Sequence, residues 1–181
     1  MNGDDEQAGK NVFTRLMSMD DATWERHASP LSVWTRIITG LPIILFAVWS
    51  IRRIGWWSLA VIGIAVFWIW INPRLFSPPG NTNNWASKAT FGERVWLNRS
   101  KYPIPDHHAK WGLFLSIVAG AGFLVAVIGA YLNMPLPTIS GGLISWFAKI
   151  WFCDRMVWLY EDMKDTRPEY SSWLRASAKN N

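Results

Sequence analysis

The chain contains a single cysteine, Cys153, and three histidines, His27, His107 and His108. One cysteine excludes an intrachain disulfide and a cysteine-rich metal centre. No histidine lies inside an apolar run, so a b-type haem held between membrane helices has no axial ligand. The many clustered histidines that membrane desaturases and hydroxylases require are missing. There is no P-loop, no Gly-x-Gly-x-x-Gly and no Gly-x-Ser-x-Gly. Charge is also missing over long stretches: residues 37–51, 54–72 and 111–147 contain no Asp, Glu, Lys or Arg. A water-soluble helix needs a wet face, and these stretches have none.

What is present fits lipid. Fourteen tryptophans and a formal net charge of +5 accompany the apolar runs. Lys and Arg flank the runs, as anchoring to anionic headgroups requires. Nucleic acid is not expected as a partner, because no basic helix, zinc-finger spacing or RNP-like motif goes with the charge. The reading is all-α, an integral membrane four-helix bundle with a cytoplasmic interfacial helix in its long connector.

Residues 1–32 form a polar lead rather than a signal peptide, with a short amphipathic stripe over 11–17 and a helix over 22–28 capped by Asp20 or Asp21. Spans are expected at about 34–51, 55–71, 111–131 and 138–155, inside a membrane domain of 33–165. At about 1.5 Å per residue, the first covers roughly 27 Å, just enough for a hydrocarbon core of about 30 Å. Pro42 should bend the first span, and Asn72-Pro73 should end the second. The connector 73–110 is too long to be structureless. Within it Trp85, Ala89, Gly92 and Trp96 share one helical face, which suggests a helix lying on the membrane surface. Residues 166–181 read as a flexible tail.

Orientation follows from Lys and Arg. Of the 18, only Arg52 and Arg53 lie in the turn between the first two spans, and none lies in the turn between the last two. The positive-inside rule then puts both termini and the connector on the cytoplasmic side of the inner membrane. Trp49, Trp56 and Trp57 would form an outer aromatic belt, and Trp34, Trp68, Trp70, Trp111 and Trp151 an inner one.

No residue set names a reaction. The candidates for chemistry are His27, Glu93, Arg94, His107, Asp154 and Arg155, all at the expected cytoplasmic face. His107 and His108 are adjacent and should point apart, so neither a metal nor another cofactor is expected. Lys149 should snorkel to the inner surface, and Asp154 and Arg155 should pair with Arg94 and Glu93. Lys88, Arg94, Arg99, Lys101 and Lys110 read as anchors for lipid headgroups.

Several polar-aromatic stretches are familiar: residues 20–30 (DDATWERHASP), 71–76 (INPRLF), 84–88 (NWASK), 92–99 (GERVWLNR) and 154–163 (DRMVWLYEDM). Together they resemble a family of small tryptophan-rich prokaryotic membrane proteins of unknown function. The resemblance implies a membrane bundle, no particular substrate, and an extension over residues 1–18.

The leading expectation is a non-catalytic membrane bundle that works through assembly, lipid contact or partner contact. Membrane lipids, a second copy or a membrane-protein partner would be its ligands. A small membrane enzyme acting on a lipid or amphiphile is the alternative. An oligomeric channel or transporter, joined through Gly120, Gly122 and Gly129, is the third. Convergence of the six candidates in one wet pocket would favour the enzyme, and mutual pairing the bundle.

Overall fold

The computed structural model describes residues 20–176, so the stripe over 11–17 lies outside the described residues. Within them the chain is helical, with no strand. The helices are α1 (Asp21–His27), α2 (Pro30–Ile54), α3 (Ser58–Leu75), α4 (Trp85–Leu97), α5 (Asp106–Tyr131), α6 (Pro135–Met163) and α7 (Pro168–Ser172). Asp20 caps α1 by accepting from the Thr23 N–H at 2.7 Å, and Asn84 caps α4 by accepting from Ser87 N–H at 3.0 Å. Pro30 opens α2 at a position whose N–H has no helical partner.

α2 runs through Pro42 to Ile54, and the chain reverses at Gly55, whose φ of +55° a side chain would strain. α3 then returns alongside α2. Its end differs from the sequence reading: the helix carries Pro73 inside it and stops at Leu75. Asn72 explains why the last turn stays ordered. It is fully buried, accepts from Ser32 Oγ at 3.0 Å and donates to Thr35 Oγ1 at 2.9 Å, tying the two helices together. Trp68 adds a bond from its indole to Thr39 Oγ1 at 3.0 Å.

α5 and α6 form a second hairpin held by small residues. A Cβ on Gly122 would stand 2.8 Å from the Ser145 nitrogen, on Gly129 2.7 Å from the Thr138 nitrogen, and on Gly141 2.6 Å from the Ala126 nitrogen. Gly122 and Gly129 are therefore used inside the chain and are not free to mark an oligomer interface, whereas Gly120 faces open space. The two hairpins meet through Trp146, whose indole donates to the Ile37 carbonyl at 2.8 Å. At the turn end, the Arg52 guanidinium lies 5.5 Å from the Tyr131 ring, so both tight turns share one end of the molecule.

The buried core sits at the other end. Ala89, Val95, Trp96, Leu115, Phe152, Met156 and Leu159 form it, with α4 pressed onto α6. α4 is thus held against α6. It is buried on most sides, and Gly92 is the reason it fits: a Cβ there would stand 1.8 Å from the Met156 carbonyl oxygen. Gly112 makes a similar space for the Trp96 indole. Ser87 and Thr90 turn inward too. Their hydroxyls are satisfied by the carbonyls of Ala28 (2.7 Å) and Ala86 (3.2 Å). Residues 166–176, expected as a loose tail, are docked as well. Tyr160 donates to the Tyr170 carbonyl at 2.9 Å, and Thr82 N–H to the Arg175 carbonyl at 2.8 Å.

The apolar halves of the hairpins are exposed. Two stretches are long and apolar enough to cross a membrane, Pro30–Leu75 and Asp106–Tyr131, and only 11% and 28% of their most apolar windows is buried. The first stretch is the α2–α3 pair. α6 is not among them, since Lys149, Asp154 and Arg155 break its apolar run. Leu59, Ile64, Phe67, Leu113, Ile117 and Ile128 all point outward.

The glycines give a test. Gly92→Ala should cost about 3 kcal/mol, because backbone rather than a flexible side chain blocks the new methyl. Gly120→Ala, with nothing within 4 Å of its Cβ, should be close to neutral. Thermal unfolding of the two purified variants in mild detergent checks the contrast.

Candidate functional site at the polar end

Where α2 and α6 approach the core, a cluster of ionisable groups forms. Lys149 Nζ sits 3.0 Å from Glu93 Oε1 and 4.5 Å from the Phe152 ring centre. Arg36 donates through Nε to the Ser32 carbonyl at 3.1 Å and through a terminal nitrogen to the His27 carbonyl at 3.3 Å, and its guanidinium abuts the His27 imidazole. Of these two cations, Lys149 holds the carboxylate and Arg36 is held by main-chain carbonyls. They line a cavity of about 130 Å³ together with Ile37, Leu41, Ser145 and Trp146. Leu41 and Trp146 also line a larger groove of about 580 Å³, completed by apolar residues such as Leu45, Ile139 and Leu143. A cationic throat therefore opens onto an apolar cleft between α2 and α6.

His27 packs against Arg36 of the throat. Burial first, then the positive field of Arg36, Lys149 and Arg74, holds its imidazole well below the ordinary value of 6.5. It is a neutral ring packed edge-on to Trp24.

The other candidates are elsewhere. Arg94 pairs with Asp21 and stacks 4.5 Å from the Trp173 ring, lining a separate cavity of about 310 Å³ with Trp24, Glu25 and Arg175. Asp154 accepts from the Trp85 indole at 3.1 Å. Arg155 lies 5.1 Å from the Trp158 ring. The expected pairing of Asp154 and Arg155 with Arg94 and Glu93 is therefore absent: Lys149, earlier on α6, takes Glu93 instead. Of the six candidates, only His27 and Glu93 touch residues of the throat, Arg36 and Lys149 respectively. Arg36 is the residue the sequence reading missed. It looked like an ordinary anchor at the start of a span, and its single signal was its position just inside one. Lys88 and Lys164 both hold Glu161, at 2.6 and 2.7 Å, which depresses that carboxyl's pKa and uses Lys88 in an intramolecular pair.

His107 and His108 do not point apart. Their ring centres are 4.1 Å apart, and His108 Nε2 lies 2.8 Å from Asp162 Oδ2 on α6. One donor atom from each of the three residues lies within 4.8 Å of the others. The 54 residues between His108 and Asp162 gave no local spacing to find them by.

The architecture defines a class: an all-helical protein with two outward-facing apolar hairpins and a self-paired polar end. The chain belongs to the family of unknown function DUF6653, whose match covers residues 10–179. That match begins inside the stretch expected to be an extension. No curated protein and no solved structure matches the chain.

His27 sets a pH dependence. The unfolded chain takes up a proton near 6.5 that the folded chain refuses. This contribution to stability is complete above pH 6.5 and is lost as pH falls below it, toward the depressed folded value. Melting temperature should therefore drop between about pH 7 and pH 5, and His27→Gln should flatten that slope. An unchanged slope in the variant would rule His27 out as its source.

Proposed function

We propose that the chain is a four-span membrane protein of the inner membrane that holds an anionic phospholipid in the cleft between α2 and α6. Its termini and α4 face the cytoplasm. α2, α3, α5 and α6 cross the bilayer, and the tight turns at Gly55 and Asn133 emerge on the far side. Arg36 and Arg52 are 16 residues apart on α2, roughly 24 Å at the helical rise, which falls short of a hydrocarbon core of about 30 Å by a distance that two long arginine side chains span by reaching outward. Cations at those depths meet headgroups on both sides. The exposed Trp56 and Trp57 fit the outer interface, and Trp111, stacked 5.8 Å from Trp151, the inner one.

The single observation that carries the lipid reading is the continuity of the cleft. Arg36 and Lys149 stand at its polar mouth, and its deeper walls are Leu41, Leu45, Ile139, Leu143 and Trp146. Glu93 balances one of the two cations and leaves one for a phosphoryl group. An acyl chain fits the rest by burying apolar area, without a further polar contact. The scattering of Arg94, Asp154 and Arg155 into separate pairs supports binding rather than catalysis.

Native mass spectrometry of the detergent-purified protein, given phosphatidylglycerol or phosphatidylcholine, tests this. The wild type should retain phosphatidylglycerol preferentially, and Arg36→Gln or Lys149→Gln should cut that retention about tenfold, as losing a charge-assisted contact of about 1.4 kcal/mol does. Equal retention of both lipids by the wild type would contradict the reading.

A further inference from the structure

We infer that His107, His108 and Asp162 form a binding site for a divalent first-row transition metal at the polar end, where the first turn of α5 meets the last turns of α6. Two imidazoles and one carboxylate suit Zn²⁺, Co²⁺ or Fe²⁺, and exclude ions that want only oxygen ligands. The site stands apart from the lipid cleft: none of its three residues lines that cleft or its throat.

The geometry is carried by an anchor and two mobile arms. Pro105 brings the chain into α5 in an extended conformation, so His107 and His108 fall in its first turn. His108 is 1% exposed and fixed. His107 and Asp162 are at the surface, with donor atoms no more than 4.8 Å from the others. Metal–nitrogen and metal–oxygen bonds of about 2.0–2.2 Å require donors about 3–3.5 Å apart. His108 Nε2 and Asp162 Oδ2 are already close to that at 2.8 Å. Rotation of the exposed His107 ring, already 4.1 Å from its neighbour, closes the remainder.

The contact with Asp162 presents His108 Nε2 to the site, while Nδ1 is buried on the other side of the ring with no hydrogen-bond partner. The site therefore rests on the convergence of the three donor atoms. The nearby charges do not block the site, because Asp106 and Lys110 engage each other at 4.0 Å. Three protein ligands leave at least one coordination position open to water or a small ligand. Because the metal is held from α5 and α6 together, it would also clamp the polar end of that hairpin.

The test uses the full chain purified in mild detergent with a histidine-free affinity tag and stripped with chelator. Co²⁺ titration followed by its visible d–d absorption, and Zn²⁺ titration calorimetry, should each give about one equivalent bound, with a rise in melting temperature. His107→Ala and Asp162→Asn should each weaken Zn²⁺ affinity at least about tenfold. Both residues are exposed, so the metal-free variants should melt with the wild type, separating ligand loss from misfolding. Less than about a tenth of an equivalent of bound metal in the wild type, or the same affinity in both variants, would overturn the inference.

Discussion

The outer faces of the two long hairpins are apolar and exposed. α3 and α5 turn many of their Leu, Ile, Phe and Val side chains outward, while Ala65, Gly112, Gly122, Ala126, Gly129 and Ala130 face inward. This inverts the arrangement of a soluble bundle, in which large side chains fill the interior. Small residues inside give close backbone approach, and the large ones are left exposed. The rest of the molecule follows from this constraint. Polar groups collect at one end, where they are paired, capped or covered: Asn72 by Ser32 and Thr35, Ser87 by a main-chain carbonyl, Glu93 by Lys149.

The polar end is a folded unit in its own right. Its core contains Trp96, Phe152, Met156 and Leu159, and Gly92 lets α4 approach the α6 backbone at Met156. Aromatic side chains connect its parts: Trp85 bonds Asp154 and stacks on Trp34 at 5.4 Å, and Trp173 packs on Phe91 at 5.6 Å. Indole suits this place because it offers apolar area and one donor where hydrocarbon gives way to water.

Much of the fold was legible in the sequence, because uncharged runs and proline or glycine punctuation act locally. Helix positions, the Asp20 cap and the reversal beside Arg52-Arg53 were all readable from neighbours in the chain. α4 was read as a helix, and the structure presses it onto α6. Its stripe of Trp85, Ala89, Gly92 and Trp96 was visible, but Ser87 and Thr90 look polar until their hydroxyls are seen to bond main-chain carbonyls. The sites were less legible. Glu93 was expected to meet Arg155 and meets Lys149, a difference of six positions along one helix that only the packing of α4 decides. Asp162 reaches His108 across 54 residues, and no periodicity encodes that. Adjacent histidines diverge in direction at Cα, but their side chains are long enough to reconverge.

The central claim is that the hairpins lie in a bilayer with the polar end on the cytoplasmic side. Single-cysteine labelling in intact cells tests it most directly, starting from Cys153→Ser and placing one cysteine at Trp56 in the turn or at Asn81 before α4. A membrane-impermeant maleimide should label the variant at position 56 in intact cells, and the variant at position 81 only after permeabilisation. Labelling of both from the same side, or recovery of the protein in the soluble fraction without detergent, would contradict the account.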